Sequence, residues 1–307
     1  MADIQVPFVV EQFKQFAAAP DANEVVATIQ ALTEVLRKSR ATTTMGVQAD
    51  LDTASSELIK GKESSISIKS GCELFKRFIT RMFRDAQDFE ECKAKLIHRG
   101  ERFKKSTVIS RLKIVNHAKP FITDDCTILV HGYSRVVLAV LHNAVSNNKR
   151  FKVVVTESRP DEAGIRMVKA LDDMGVPTVF ISDSAVAHYL ANEVDVVFVG
   201  AEAVVENGGI VNKIGTYQIS IIANTFNKPF YVAAESYKFT RIYPLNQKDI
   251  PYMGTKSLVE VNSLPSSTEV WNAGSDFTPP KFIRLLFTDL GVLTPSAVSD
   301  ELIKLYN

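Results

Sequence analysis

The second half of the chain alternates short apolar runs with helix-like segments, and this alternation limits the possible folds strongly. A buried strand followed each time by an amphipathic helix is typical of βαβ units, whose strands lie parallel. Because such crossovers are right-handed, the sequence predicts a Rossmann-like, doubly wound parallel sheet. The alternating segments are 127–130 and 135–146, 152–156 and 161–174, 177–181 and 184–191, 194–199 and 215–226, then 230–233. We also expect a helix near Phe282–Phe287 and a last helix after Pro295.

The first half of the chain has the periodicity of helices throughout. Asp21 lies three residues before Glu24 and Ser70 three residues before Glu73, so both pairs match a capping box that opens a helix. Helices are predicted from Phe8 to Ala19, after each capping box, from the polar break at 39–44 to about Lys60, and from about Asp88 to Lys119.

The two halves predict two domains of different class. We expect no strand before residue 126, except at 65–68, where serine and isoleucine alternate. The expected fold class is therefore α/β, with an all-helical N-terminal domain over 1–120 and a Rossmann-like domain over 121–307. A chain of 307 residues is long enough for two domains of this size.

Polar residues follow three of the predicted strands, where a parallel sheet places its ligand crevice. They form the segments 131–135, 156–160 and the glycine-rich loop 200–216. Helix N-termini at such junctions bind anions through backbone N–H groups, and Arg159 and Lys213 add charge-assisted bonds to a phosphate. The chain has no G-x-G-x-x-G and no G-x-x-x-x-G-K-[ST], so a dinucleotide fingerprint and a P-loop are excluded.

Each of these polar residues also has a purely structural interpretation, which the sequence leaves open. His131 can bond a neighbouring carbonyl, Arg159 can tie its loop to a carboxylate such as Glu157, and Glu202 can accept backbone N–H bonds. Glu206 and Asn207 are typical of a turn.

The basic residues are concentrated in one segment. The net charge is +1 overall, but +5 over residues 1–120 and −4 over 121–307. Lys93–Lys119 alone holds nine basic residues against Glu101, a net charge of +8. This segment is either the solvated face of a helix or a surface for an acidic or phosphorylated partner. No nucleic-acid motif accompanies it, so we expect no direct nucleic-acid binding.

The cysteines and the apolar runs point to the cytosol. Cys72, Cys92 and Cys126 lie far apart without metal-ligand spacing, which predicts free thiols and no metal site. No apolar run approaches the roughly 20 residues that span a bilayer, and the N-terminus does not resemble a signal peptide. We therefore expect a cytosolic protein that binds no membrane.

Several segments of the chain resemble one superfamily. It unites sugar-phosphate aldose–ketose isomerases with the regulatory subunits of translation initiation factor 2B, and the similarity narrows to the alpha-subunit branch. The segments that carry it are 131–137 (His-Gly-Tyr-Ser-Arg-Val-Val), 155–160, 199–202, 206–210, 212–217 (Asn-Lys-Ile-Gly-Thr-Tyr), 234–239 and 287–302.

The resemblance implies a ligand pocket without an isomerase's acid/base pair. The isomerases use a cysteine and an aspartate, which correspond here to Gly132 and Glu202, and glycine cannot transfer a proton. The sequence therefore predicts no enzyme activity and no cofactor, with isomerase as the alternative. Asn212 and Lys213 match the isomerase pattern, Lys69 stands for one of its arginines, and Ala163 replaces a glutamine. The expected residues of a retained sugar-phosphate or nucleotide pocket are Lys69, His131, Tyr133, Ser134, Arg135, Arg159, Glu202, Asn212 and Lys213.

The same resemblance implies partners. Members of this branch belong to the guanine-nucleotide exchange factor for initiation factor 2. By resemblance, the chain is a homodimer that bridges a decamer with the beta, gamma, delta and epsilon subunits. It also senses the phosphorylated alpha subunit of initiation factor 2, whereupon exchange is inhibited. We expect Thr44, Lys104 and Lys105 to face that partner.

Overall fold

The structure, a computed structural model, describes residues 7–19, 23–61, 65–84, 88–250, 264–265 and 267–306. These residues form two compact units, which divide between residues 109 and 110. The division falls within a long helix that ends at Ala118, and the predicted boundary at 120/121 lies just beyond that end.

The first unit is helical in its described part, as predicted. Its helices are α1 (Phe8–Ala17), α2 (Glu24–Lys38), α3 (Thr44–Gly61), α4 (Ile66–Arg84) and α5 (Phe89–Ala118), which continues into the second unit. The N-cap of α2 is Asn23, whose side chain accepts a hydrogen bond from the Val25 N–H at 2.8 Å. The prediction of a cap at Asp21 was wrong, and Asp21 itself lies outside the described residues.

Two predictions near the start of α4 were also wrong. Residues 65–68 are not a strand, because Ser65 caps α4 by accepting the Ile68 N–H at 3.2 Å. The second predicted capping box, Ser70 to Glu73, lies inside this helix and does not mark the beginning of one. Gly71 serves close packing instead, since a Cβ at that position would lie 3.1 Å from the Thr28 Cβ of α2.

The second unit contains the predicted sheet, so the fold class is confirmed. Its seven-stranded sheet has the order β11-β10-β7-β4-β1-β2-β3, and its strands are parallel except for β11. These strands are β1 (Cys126–Val130), β2 (Phe151–Thr156), β3 (Thr178–Ile181), β4 (Val196–Gly200), β7 (Phe230–Ala233), β10 (Leu285–Thr288) and β11 (Gly291–Leu293). The helices are α6 (Arg135–Ser146), α7 (Ala163–Asp172), α8 (Val186–Asn192), α9 (Thr216–Thr225) and α10 (Val298–Tyr306).

A second, smaller sheet corrects the interpretation of the glycine-rich segment as a loop. Its strands are β5 (Ala203–Val205), β6 (Ile210–Lys213), β8 (Phe239–Thr240) and β9 (Ser275–Thr278), in the order β8-β5-β6-β9. The Gly208–Gly209 turn closes an antiparallel hairpin of β5 and β6. Each strand is too short to produce a recognisable period.

The prediction of a helix near Phe282–Phe287 was wrong, because this segment enters the seven-stranded sheet. The 3-10 turn Pro280–Phe282 precedes β10, which pairs with β7. Phe287 is fully buried and stacks on Phe198 with ring centroids 5.4 Å apart. Packing against the sheet therefore outweighs local helix propensity in this segment.

Candidate functional site

A cluster of charged side chains lies where β1, β2 and β4 end. These strands are neighbours in the sheet, so their carboxyl ends meet at one edge. The hairpin that follows β4 brings Lys213 to the same edge. Its Nζ lies 3.0 Å from the Asp161 Oδ2 and 3.3 Å from the Glu202 Oε1. Lys213, Glu202 and Asp161 thus form one ion-pair network.

Lys213 is charged in this network. Burial acts to lower its pKa, but the carboxylates of Glu202 and Asp161 outweigh burial and raise the pKa above its ordinary value. A cation flanked by two acceptors suits a ligand that presents both an anionic group and hydroxyl donors. A sugar phosphate has this combination.

His131 is a buried structural element of the site. Its Nε2 lies 2.8 Å from the Ile214 carbonyl oxygen and its Nδ1 lies 2.6 Å from the Thr156 Oγ1. Burial lowers its pKa more than the Ile214 bond and the nearby carboxylate of Asp183 raise it, so the ring is neutral at pH 7. Because a carbonyl only accepts, Nε2 carries the proton and Nδ1 accepts from the threonine hydroxyl. The bond from His131 to the Ile214 carbonyl agrees with the structural interpretation of His131 that the sequence left open.

Gly132 leaves the centre of the site without a side chain. Its φ is +72°, a left-handed conformation that costs about 1 kcal/mol in other residues. A Cβ there would lie 3.6 Å from the Lys213 Cγ and 3.7 Å from the Ser158 Oγ, which is ordinary contact. A side chain at this position would therefore face Lys213, and the glycine supplies no acid or base there.

Four other predicted pocket residues lie after β1, at the start of α6 or on β6. The Tyr133 ring lies under the Arg166 guanidinium at 4.3 Å, and the Ser134 Oγ caps α6 by accepting the Val137 N–H at 3.3 Å. Asn212 is buried and its Nδ2 donates to the Thr216 Oγ1 at 3.1 Å. Arg135 begins α6 and is half-buried.

The Arg159 side chain forms ion pairs with carboxylates of its own segment. Its Nε lies 3.1 Å from the Glu157 Oε2 and its Nη1 lies 2.6 Å from the Glu162 Oε1. About half of the side chain is exposed. The geometry therefore shows the structural alternative for Arg159, in which it ties its loop to Glu157.

Internal carboxylates occupy two of the three predicted anion sites. The Asp183 side chain accepts the N–H groups of Ser158 and Arg159 at 2.9 and 2.7 Å. The Asp276 Oδ2 accepts the N–H groups of Gly215 and Tyr217 at 2.8 and 3.0 Å. These backbone donors are not open to a phosphate, whereas the Lys213 side chain is partly exposed.

A second ion pair lies beside the cluster and was missed from the sequence. The Lys238 Nζ lies 3.0 Å from the Glu235 Oε2 and donates to the Ala201 carbonyl at 2.9 Å. Glu235 is only 2% exposed. Burial raises its pKa, but Lys238 lowers it more, so the pair is charged.

Three carboxylates that bond groups at the carboxyl edge of the sheet were also not predicted from the sequence. Asp161 follows the predicted junction 156–160 directly, and that position was a usable signal. Asp183 is 24 residues beyond Arg159, and Asp276 is 61 residues beyond Gly215. No local pattern links residues so far apart.

The remaining predicted residues lie in the first unit. Lys69 is a half-buried residue of α4, and Thr44 is the first residue of α3. Lys104 and Lys105 are exposed on α5. Their roles in the pocket and towards a partner stay predictions.

A cavity of about 980 Å³ lies against the turn that follows Lys213, with Ile214 and Gly215 in its lining. Arg159, Asp183 and Asp276 line it together with aromatic and aliphatic side chains, among them Tyr217 and Trp271. In the part of the chain that the structure describes, no group of three or more His, Cys, Asp or Glu side chains can hold a metal ion. No helix among the described residues is both long and apolar enough to cross a membrane.

Comparison with known proteins shows the family of this chain. Residues 18–295 match the Initiation factor 2 subunit family. The chain is 50% identical to "Translation initiation factor eIF2B subunit alpha" of Dictyostelium discoideum, over 92% of this chain and 91% of that protein. It is 40% identical to the protein of the same name from Caenorhabditis elegans, over 94% of each chain. It is also 30% identical to ribose 1,5-bisphosphate isomerase of Archaeoglobus fulgidus, over 79% of this chain and 75% of the isomerase.

Solved structures agree on the fold. The crystal structure of translation initiation factor eIF-2B from Pyrococcus horikoshii aligns with a TM-score of 0.75 at 24% identity, covering 94% of this chain and 97% of the other. A chain of the tetrameric eIF2B-beta2-delta2 complex of Chaetomium thermophilum aligns with a TM-score of 0.77 at 20% identity, covering 97% and 93%. The resemblance drawn from the sequence is confirmed, and the chain belongs to the initiation factor 2 subunit family.

Proposed function

We propose that this protein is a non-catalytic regulatory and assembly subunit of the guanine-nucleotide exchange factor for translation initiation factor 2. Gly132 carries the proposal, because the site around Lys213 lacks an acid/base side chain at that position. The two relatives that share 50% and 40% of its residues, both named as alpha subunits, support this role. Such a subunit works in the cytosol, without a cofactor, a membrane or nucleic acid.

Ribose 1,5-bisphosphate isomerase is the alternative function, favoured by the archaeal relatives. Moving a proton between adjacent sugar carbons needs a titratable group within reach of those carbons. Glu202 is paired with Lys213, and Gly132 offers no partner group. We expect the purified protein to form no ketose from ribose 1,5-bisphosphate, and measurable turnover would contradict the non-catalytic role.

The assembly part of the proposal is a homodimer that bridges a decamer with the beta, gamma, delta and epsilon subunits. The shared fold with a beta2-delta2 complex supports assembly with such subunits. Mass photometry of the protein alone is expected to give twice the chain mass of 34.0 kDa. Mixing with the other subunits is expected to give one larger complex. A monomer that joins none of them would overturn the proposal.

The pocket is proposed to bind a sugar phosphate or nucleotide through Lys213. Ribose 1,5-bisphosphate at about 100 Kd should raise the melting temperature by about 5 °C, because it binds only the folded state. Lys213→Met should abolish this rise, since the cation between Asp161 and Glu202 is lost.

Lys304→Met is the matched control for Lys213→Met. Lys304 is an exposed cation paired with Glu301, so its loss should leave the shift unchanged. AMP in a parallel titration separates a nucleotide from a sugar phosphate as the preferred ligand. An equal shift in wild type and Lys213→Met would exclude Lys213 as the binding group.

The basic stretch of α5 is proposed to face the phosphorylated alpha subunit of initiation factor 2, together with Thr44. Its support is a net charge of +8 over Lys93–Lys119 and the exposure of Lys104 and Lys105. The double charge reversal Lys104→Glu/Lys105→Glu should weaken binding of that phosphoprotein by about tenfold. Biolayer interferometry at two salt concentrations measures it.

Charge reversal elsewhere in the first unit tests whether this effect is local. Lys60 and Arg81 are exposed in the same unit, so Lys60→Glu/Arg81→Glu changes the net charge equally. Equal weakening by both double variants would show that only net charge matters. Unchanged binding in Lys104→Glu/Lys105→Glu would leave α5 as a solvated face.

A further inference from the structure

Asp276 holds the backbone turn that follows Lys213. It lies on β9 opposite Asn212 of β6, so it sits beside the end of the hairpin. Its Oδ2 accepts the Gly215 N–H at 2.8 Å and the Tyr217 N–H at 3.0 Å. These N–H groups belong to the N-cap residue Gly215 and to the second residue of α9, and Gly215 has no side chain that could bond them. The helix is therefore capped by a carboxylate from a distant strand.

The other polar groups of this turn are held as well. The Ile214 N–H donates to the Gly274 carbonyl at 3.0 Å, and the Ile214 carbonyl accepts from His131. The Thr216 hydroxyl donates to the Lys213 carbonyl at 2.6 Å. Lys213 is thus the last strand residue before a turn whose backbone is bonded by His131, which follows β1, by Gly274 and Asp276, and by Thr216 of α9.

Capping a helix with a buried carboxylate costs free energy, because the charged group loses its hydration. Asp276 is 5% exposed, and its Oδ1 has no hydrogen-bond partner among the described residues. Burial and, to a smaller extent, Glu202 raise its pKa to about 7, although the two N–H bonds lower it. An asparagine oxygen can accept the same two bonds without the desolvation of a charge. Stability of the turn does not account for an acid at this position.

We propose that Asp276 is a positioning residue of the ligand site, which holds the Ile214–Tyr217 turn and thereby sets the Lys213 ammonium group against its ligand. This inference rests on the proposed binding of a sugar phosphate. The ionised carboxylate accepts both N–H bonds more strongly than the protonated form. The pocket therefore binds its ligand more tightly above pH 7 than below it.

The charged and titratable groups around Asp276 come from several elements. Glu202, which follows β4, acts on the Asp276 carboxyl through its charge and is itself paired with Lys213 of β6, while Tyr217 of α9 contacts Asp276 through its backbone N–H. His131 lies under Gly215, with its ring atoms 3.0 Å from the position of a Cβ there. Three further groups line the same cavity as Asp276, namely Arg159, Asp183 and Lys248.

Isothermal titration of the full chain with ribose 1,5-bisphosphate between pH 6 and pH 8 tests the proposal. At pH 8, Asp276→Asn should bind about tenfold more weakly than wild type, the effect expected when a group that orients a binding residue is lost. At pH 6 the two proteins should bind equally. Titration of the phosphate groups cancels in the ratio of the two affinities. A ratio that does not change with pH would overturn the proposal.

Asp249→Asn provides the matched control. The Asp249 Oδ2 also accepts two backbone N–H groups, from Leu245 at 2.8 Å and Asn246 at 3.0 Å, in a turn where it is exposed. Its replacement should leave both the affinity and its pH dependence unchanged. The same loss in Asp249→Asn would assign the effect to the removal of any capping carboxylate.

Hydrogen exchange separates failure of this inference from failure of the proposed ligand. Without ligand, the Gly215 and Tyr217 amides should exchange about tenfold faster in Asp276→Ala than in wild type. If wild type binds no sugar phosphate but these amides lose protection, the ligand proposal fails while Asp276 still holds the turn. If protection is unchanged in Asp276→Ala, the positioning role is wrong whatever the pocket binds.

Discussion

Replacing Lys238 with methionine is expected to destabilise the protein by about 3–5 kcal/mol at pH 7, the usual effect of leaving one charge of a buried pair alone. Glu235 is 2% exposed and Lys238 only 14%, so water cannot replace the lost ammonium group. The variant also loses the bond from the Lys238 Nζ to the Ala201 carbonyl. Urea unfolding of the variant and wild type measures the difference.

The double variant Glu235→Gln/Lys238→Met separates an unpaired charge from lost packing. Removing both charges should recover all but about 1–2 kcal/mol, because no buried carboxylate then lacks a counter-charge. The Lys238→Met deficit should also shrink as the pH falls, since protonation neutralises Glu235. A double variant as unstable as Lys238→Met would show that the packing of the Lys238 side chain is what matters.

The stability of the protein should fall between about pH 4 and pH 7 through Asp276. The pKa of this carboxyl rises from 3.8 to about 7 on folding, because burial penalises the charged form. Within that window the folded protein keeps a proton that the unfolded chain has released, so raising the pH favours unfolding. Three pKa units at 1.36 kcal/mol each correspond to about 4 kcal/mol, present at pH 4 and lost above pH 7.

Asp276→Asn isolates this contribution from other titrating groups. The stability difference between the variant and wild type should grow in favour of the variant from pH 4 to pH 7, then stay constant. Thermal unfolding of both proteins over this range measures it. A difference that does not change with pH would mean that Asp276 ionises as it does in the unfolded chain. The variant should thus be more stable at pH 8 and a weaker ligand binder.

The sequence predicted the elements whose signals are local. The run Asp195–Val199 is apolar and β-branched, so a strand buried on both faces followed from composition alone. The residues after it were predicted to form a site, because parallel strands end at a common edge. The absence of an acid/base group at Gly132 was also visible before the fold was known.

Short segments were predicted wrongly where tertiary contacts outweigh local preference. The strand β5 has three residues, all buried, and only its partners β6 and β8 make it a strand. Ser65–Ile68 has the alternation of a strand but packs in α4, with Ile66 and Ile68 both buried. A period cannot be read from three or four residues.

The amino-acid pattern was sufficient for the class of the fold and for the polar residues at the carboxyl edge of its sheet, because both are encoded in consecutive residues. The pairing of Lys213 with Asp161 and Glu202, and the capping of its turn by Asp276, came from the topology alone. The fold joins residues as far apart as Gly215 and Asp276, which are separated by 61 positions, and no local periodicity encodes such contacts. Folding thus placed internal carboxylates on the backbone donors of two predicted anion sites and set the Lys213 cation between Asp161 and Glu202.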